Sequence, residues 1–147
     1  MNTWLKLIGT LKRPITGAPF YGNYSEEHIG FHKPDKPGIR TGEHLFLYAV
    51  GGCMRIFALA EAIGDPEPWK DGNLQWRIPV RYLLNLPVAS GILLSDINSR
   101  ERPKDITKSI TQKSHIKLHP EESRLAYRKL LDNYAPNLFP DELLTRR

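Results

Sequence analysis

The chain contains one cysteine, Cys53, among its 147 residues. A lone thiol cannot close an internal disulfide, and it excludes zinc sites built on several cysteines. It also makes the cytoplasm the expected compartment. Long apolar runs are missing too: nothing approaches the ~20 residues that span a bilayer, so no membrane association is expected. The opening Met1-Asn2-Thr3-Trp4-Leu5-Lys6 has no basic segment followed by an apolar core, which argues against a secretory signal. The sequence also lacks a Walker loop, a dinucleotide fingerprint and a nucleophile elbow. The expectation is therefore a protein that is not an enzyme, with no catalytic residues and no cofactor. His28 and His32 are four apart, as two metal ligands on a helix would be. Gly30 between them and Pro34 after them oppose a helix, so no metal site is expected.

What is present fits one globular domain over residues 1–147, with 40% hydrophobic and 25% charged residues. The net charge of +5 is unevenly placed. Residues 99–130 hold nine Lys and Arg against four acids, a net of +5, and the remainder is neutral. Arg100, Arg102, Lys104, Lys108, Lys113 and Lys117 are interleaved with Ser, Thr and Asn, side chains that suit phosphate oxygens. A solvated basic loop is the plainer explanation of the same run.

The pattern along the chain is mostly that of strands. Trp4 to Ile8 alternates and stops at Gly9, which predicts a first strand. Residues 14–42 are irregular, rich in Gly and Pro, and carry the aromatics Phe20, Tyr21, Tyr24 and Phe31. His44 to Val50 and Cys53 to Ile63 flank Gly51-Gly52, a hairpin turn signal. Local propensity alone would make the second run a helix. However, Ala58, Ala60 and Ala62 alternate with the larger Phe57, Leu59 and Ile63, and this period of two gives a sheet one tight face and one bulky face, as in small barrels. Asp65-Pro66-Glu67-Pro68-Trp69 reads as a loop, and Trp76 to Tyr82 as a half-buried strand. Pro79 within that strand predicts an edge position or a bulge. Short helical turns are expected near Ser95–Asn98 and Asp105–Gln112, and a short strand at His115–Leu118. Pro120 opens a helix whose Tyr127, Leu130, Leu131 and Tyr134 face the core, and Pro136 ends it.

Thr41–Tyr48, Ile56–Ala62, Trp76–Tyr82 and Ser114–Leu118, followed by the closing helix, together resemble an EVE domain, the prokaryotic relative of the YTH domain in the PUA-like superfamily. The likeness covers about residues 39–134. It implies an α+β fold, a small PUA-like mixed β-barrel with flanking helices. It also implies DNA or RNA as partner, bound in several such domains through a flipped, modified base. In the chain Leu11 to Asn23 replaces the usual short connection to a Gly-aromatic strand, and His28-Ile29-Gly30-Phe31 matches that strand best.

A base-binding site needs flat side chains, each stacked base being worth ~1–3 kcal/mol. The candidates are Trp69, Phe31 and Tyr48, with Trp76 and Trp4 expected in the core. Arg100, Arg102, Lys104, Lys108, Lys113 and Lys117 are the candidates for holding phosphates. The alternative is a small-molecule or protein-interaction module on the same barrel, with the basic run merely solvated. Any nuclease activity would belong to a partner nuclease, since the chain has no nuclease motif.

Overall fold

The computed structural model describes residues 1–9, 27–51, 54–72, 74–102, 105–110 and 113–133. Phe20, Tyr21, Tyr24, Cys53, Lys104, Tyr134 and Pro136 lie outside the described residues. Eight strands form one sheet: β1 (Thr3–Ile8), β2 (His28–Phe31), β3 (His44–Ala49), β4 (Arg55–Ala62), β5 (Glu67–Asp71), β6 (Leu74–Asn85), β7 (Ile92–Leu93) and β8 (His115–Lys117). Their order is β2-β6-β4-β3-β1-β8, with β5 on β6 and β7 on β4. β1 and β3 run parallel; the other pairs are antiparallel. Two helices accompany the sheet, α1 (Ile106–Ser109) and α2 (Pro120–Asn133). Neither is long and apolar enough to cross a membrane.

The sheet curls into a half-barrel. β2 and β8 stand at opposite ends of the strand order, yet the Phe31 ring of β2 lies 5.1 Å from the His115 ring of β8 and 4.7 Å from the Lys6 Nζ of β1. That closure uses the alternation in β4. Ala58 and Ala60 pair with Leu47 and Leu45, and through β3 they share the concave face with Lys6 and Trp4. The small side chains let the strands approach on the inside of the curl. Phe46 and Leu59, also paired, are on the convex face, where the Phe46 ring meets Tyr127 of α2 at 5.0 Å. Both faces are covered, which is why β3 and the middle of β4 are buried throughout.

Cys53 to Ile63 is therefore a strand where the structure describes it, against local helix propensity, because tertiary pairing on both sides outweighs a preference of a few tenths of a kcal/mol per residue. One expectation needs correction. The stretch around Trp69 is not a loop: β5 pairs antiparallel with β6. Of the two alternatives for the Pro79 strand, the bulge is the one found: β6 has neighbours on both sides, and its pairing with β4 shifts where Leu59 and Ala60 meet Leu84 and Tyr82, leaving Leu83 extra. Pro79 is tolerated because its carbonyl accepts from Ile63, so its missing donor points just past the end of β4.

The convex face carries a polar chain that ties α2 to the sheet. Arg81 donates to Glu61 at 2.7 Å, Glu61 lies 3.4 Å from His44 Nε2, and His44 Nδ1 is 2.5 Å from the Tyr127 hydroxyl. A second tie fixes the start of α2. Glu122, fully buried, accepts the His119 amide at 2.8 Å, as the third residue of a capped helix does. Both its oxygens also accept from Arg102, at 2.6 Å each, and Arg102 donates in addition to the Lys117 carbonyl at 3.1 Å.

Removing Arg102 would strand a buried carboxylate. Arg102→Ala is expected to cost about 3 kcal/mol, lowering the melting temperature by roughly 10 °C. Arg100→Ala and Lys108→Ala, at exposed positions, should stay within ~0.5 kcal/mol. Thermal denaturation of the three variants checks this, and equal melting temperatures would remove the structural role given to Arg102.

Candidate functional site

The place where the two ends of the sheet face each other gathers the unusual chemistry of the molecule. Alternation puts Trp4 and Lys6 of β1 on the concave side, and the register pairs them with Lys117 and His115 of β8, which share that side. From across the curl β2 delivers Phe31, which is itself buried, at 1% exposure, beside the fully buried Ile29 and Ile78. Lys6 is 1% exposed. Its Nζ lies over the Phe31 ring and donates to the Leu7 carbonyl at 3.1 Å and the Ser114 hydroxyl at 3.4 Å. His115 meets Phe31 edge-on and lies 5.6 Å from the Trp4 ring.

Burial sets the electrostatics of this seam. Loss of water pushes the Lys6 ammonium down from 10.5 to about 7. His115 is pushed down to about 4, by burial first and by the charge of Lys6 second. Beside them Glu43 is a satisfied carboxylate, accepting from the Trp4 indole at 2.9 Å and from the Arg40 and Asn2 amides at 2.9 and 3.0 Å. Burial opposes its charge, but these three donors outweigh that and lower its pKa.

Basic groups flank the seam on two sides. Lys113 and Lys117 are exposed at the two ends of β8. On the other side, the segment leaving Phe31 carries exposed Lys33, Lys36 and Arg40. The Pro34 carbonyl of this segment accepts the Trp76 indole at 2.9 Å, and its Gly38 passes over Trp4, where an added Cβ would lie 3.7 Å from the ring. Sequence reasoning missed Lys6, which was only an alternating residue of the first strand, and missed this second basic segment. Lysine at an inward position of a strand was the available signal for the first.

The three aromatics expected to stack on one base do not converge. Phe31 is at the seam. Trp69, 40% exposed, lies on the opposite face of the β5–β6 pair, with the Arg77 guanidinium stacked 3.6 Å from its ring centre. Tyr48 is buried and shares the convex face with Phe46 through β3; burial raises its hydroxyl pKa. One planar ligand cannot touch all three, because a strand sends alternate side chains to opposite faces. Of the expected phosphate contacts, Lys113 and Lys117 border the seam, while Arg100 and Lys108 are exposed. Arg102 is committed to Glu122.

No protein-family model matches the chain, and no curated protein matches it. Two solved structures are similar in fold. One is the crystal structure of protein Atu2648 from Agrobacterium tumefaciens, with a TM-score of 0.56 and 17% identity over 88% of this chain and 93% of that one. The other is the NMR structure of Rpa0253 from Rhodopseudomonas palustris, with a TM-score of 0.51 and 14% identity over 86% and 90%. At these identities the likeness concerns the fold alone.

The buried amine makes stability depend on pH in a defined direction. The unfolded chain binds the Lys6 proton up to about 10.5, and the folded chain releases it near 7. The cost of burying Lys6 is therefore fully present below pH 7 and is relieved as pH rises from 7 towards 10.5, by up to about 1.4 kcal/mol per pH unit. Between pH 7 and 9 the wild type should gain stability relative to Lys6→Met, measured by urea denaturation. Parallel pH profiles for the two proteins would show that Lys6 is charged and solvated in the fold.

Proposed function

We propose that the chain is an EVE-type, PUA-like reader of nucleic acid, which takes a flipped base, modified or not, at the seam of the half-barrel. The observation that carries the reading is the Phe31 ring, held between His115 and Lys6, with exposed cations on both sides of it. A single aromatic face binds any base by stacking, and cations placed on either side suit the phosphates that flank an extruded nucleotide. Phe31, with His115 as its ring neighbour and Trp4 next to His115, serves as the stacking platform. Lys113 and Lys117 on one side, and Lys33, Lys36 and Arg40 on the other, serve as phosphate contacts. Trp69 and Tyr48 are left outside the base site. In this reading the partner is DNA or RNA, and a nuclease would be a separate chain.

A second reading has its own observation. A cavity of about 340 Å³ opens on the convex side beside Tyr127, His44, Ser123 and Arg124, a size that suits a small polar molecule. The two readings differ in their dependence on salt and on Phe31.

The experiment is a binding assay with single-stranded and duplex oligonucleotides carrying unmodified, methylated and hydroxymethylated bases. Affinity should fall steeply with salt, in proportion to the phosphates neutralised. Phe31→Leu, which keeps most of the volume and removes the ring, should weaken binding by ~1–3 kcal/mol, about five- to 150-fold. Trp69→Ala should leave it unchanged. Lys117→Ala should weaken binding to every oligonucleotide alike and flatten the salt slope by about one. Binding that ignores salt, or that Phe31→Leu does not alter, would overturn the reading.

A further inference from the structure

Lys6 has three N–H donors and an unusual shortage of partners. It accepts no help from a carboxylate: among the described residues no acid pairs with it, and Glu43, one strand away, is taken by Trp4, Arg40 and Asn2. Its two acceptors are a carbonyl at 3.1 Å and a hydroxyl at the long distance of 3.4 Å. A buried ammonium normally has its donors filled and a counter-ion beside it. Here the third place is filled only by the face of the Phe31 ring, 4.7 Å from Nζ. In the nucleic-acid reading that face is also where a planar ligand stacks, and because Phe31 is only 1% exposed the ligand reaches it only by displacing Nζ. The amine therefore stands in the position of the ligand, with an incomplete set of partners.

We infer that Lys6 is the residue through which the seam reads its ligand: a stacked base displaces Nζ from the Phe31 face to the base edge, where an exocyclic oxygen or ring nitrogen accepts its N–H and Lys6 takes up a proton. The inference rests on the nucleic-acid reading of the seam. It makes Lys6 both the occupant of the free site and the determinant of which edge is accepted, since a base presenting only donors or a methyl group there leaves the amine without a partner. A new acceptor stabilises the charged amine, so binding and protonation are linked.

The groups around Lys6 narrow the source of such a linkage. From β8 it faces His115, from the residue just before that strand Ser114, from β2 Phe31, and on β3 its register partner is Leu47. His115 is the titratable group coupled to it, and with a pKa near 4 it stays neutral through the range where Lys6 changes charge. Below about pH 7 the amine already carries its proton in the free protein. Above that, each binding event must draw one from solution, and affinity falls as pH rises.

The test uses a short fluorescein-labelled oligonucleotide of mixed sequence, as a single strand and as a duplex with one unpaired base. Fluorescence anisotropy is followed at constant ionic strength between about pH 6.5 and 9, for the wild type and for Lys6→Met. The expected wild-type result is a loss of affinity approaching tenfold per pH unit above 7, matched by proton uptake in calorimetry with buffers of different ionisation enthalpy. Lys6→Met should melt no lower than wild type at pH 6.5, because it removes an uncompensated buried amine. It should bind with a flat pH profile and take up no proton. A wild-type profile that is flat, or one that Lys6→Met reproduces, overturns the role of Lys6 while leaving the reader function standing. Absence of binding by either probe at every pH overturns both.

Discussion

The structure depends on the closeness of backbones along the inner face of β4. Alanine at 58 and 60 removes bulk on the concave side of the sheet, and the curl brings its first and last strands to within a ring's width of each other. A larger residue at either position would press on Leu47 or Leu45 and open the curl, and with it the seam. The convex face takes the opposite solution. Phe46 and Leu59 spread there and are roofed by α2, which is pinned at one end by Arg102 and Glu122 and along its length by Tyr127 on His44.

The seam follows from that geometry rather than from any local motif. Trp4, Lys6, Phe31 and His115 come from three strands, and in the strand order β2 and β8 are the two ends. Strands that are distant along the sheet can share a site only when the sheet is curved, so the chemistry exists only in the folded chain. This explains why no short pattern in the sequence marks it. It also explains how a lysine comes to be held in an apolar place: its strand is fixed on both sides by β3 and β8, and Phe31 from across the curl covers its amine.

Much of the scaffold was legible in the sequence, because periodicity survives translation into three dimensions. The two-residue alternation of Ala58 and Ala60 against Leu59 identified a strand and its two faces, while Phe57 falls at the bulge where Leu47 and Tyr48 pair with Ala58 and Ile56. The proline at 120, the acids after it and the 3.6-residue spacing to Tyr127 and Leu130 located α2. Trp69 misled because Pro68 and its neighbours spell a loop, whereas the partner strand β6 is long enough to recruit five residues as an extra edge. Arg102 misled for a different reason. A guanidinium in a basic run looks like its neighbours until its partner is known, and the partner, Glu122, lies twenty residues away on a helix. Phe31 could be singled out only through its match to a Gly-aromatic strand, and nothing in the linear order told that Lys6 would cover it.

The three tryptophans occupy environments that differ as sharply as the faces of the sheet. Trp69 is open to water under a guanidinium, Trp76 is tied to the Pro34 carbonyl at the rim, and Trp4 is sandwiched between Glu43 and His115 at the seam. Their emission is accordingly a sum of one hydrated and two shielded indoles. The molecule thus carries its own optical ruler: a change at the seam registers in Trp4, while Trp69, on the far side of its strand, supplies a constant background against which that change is read.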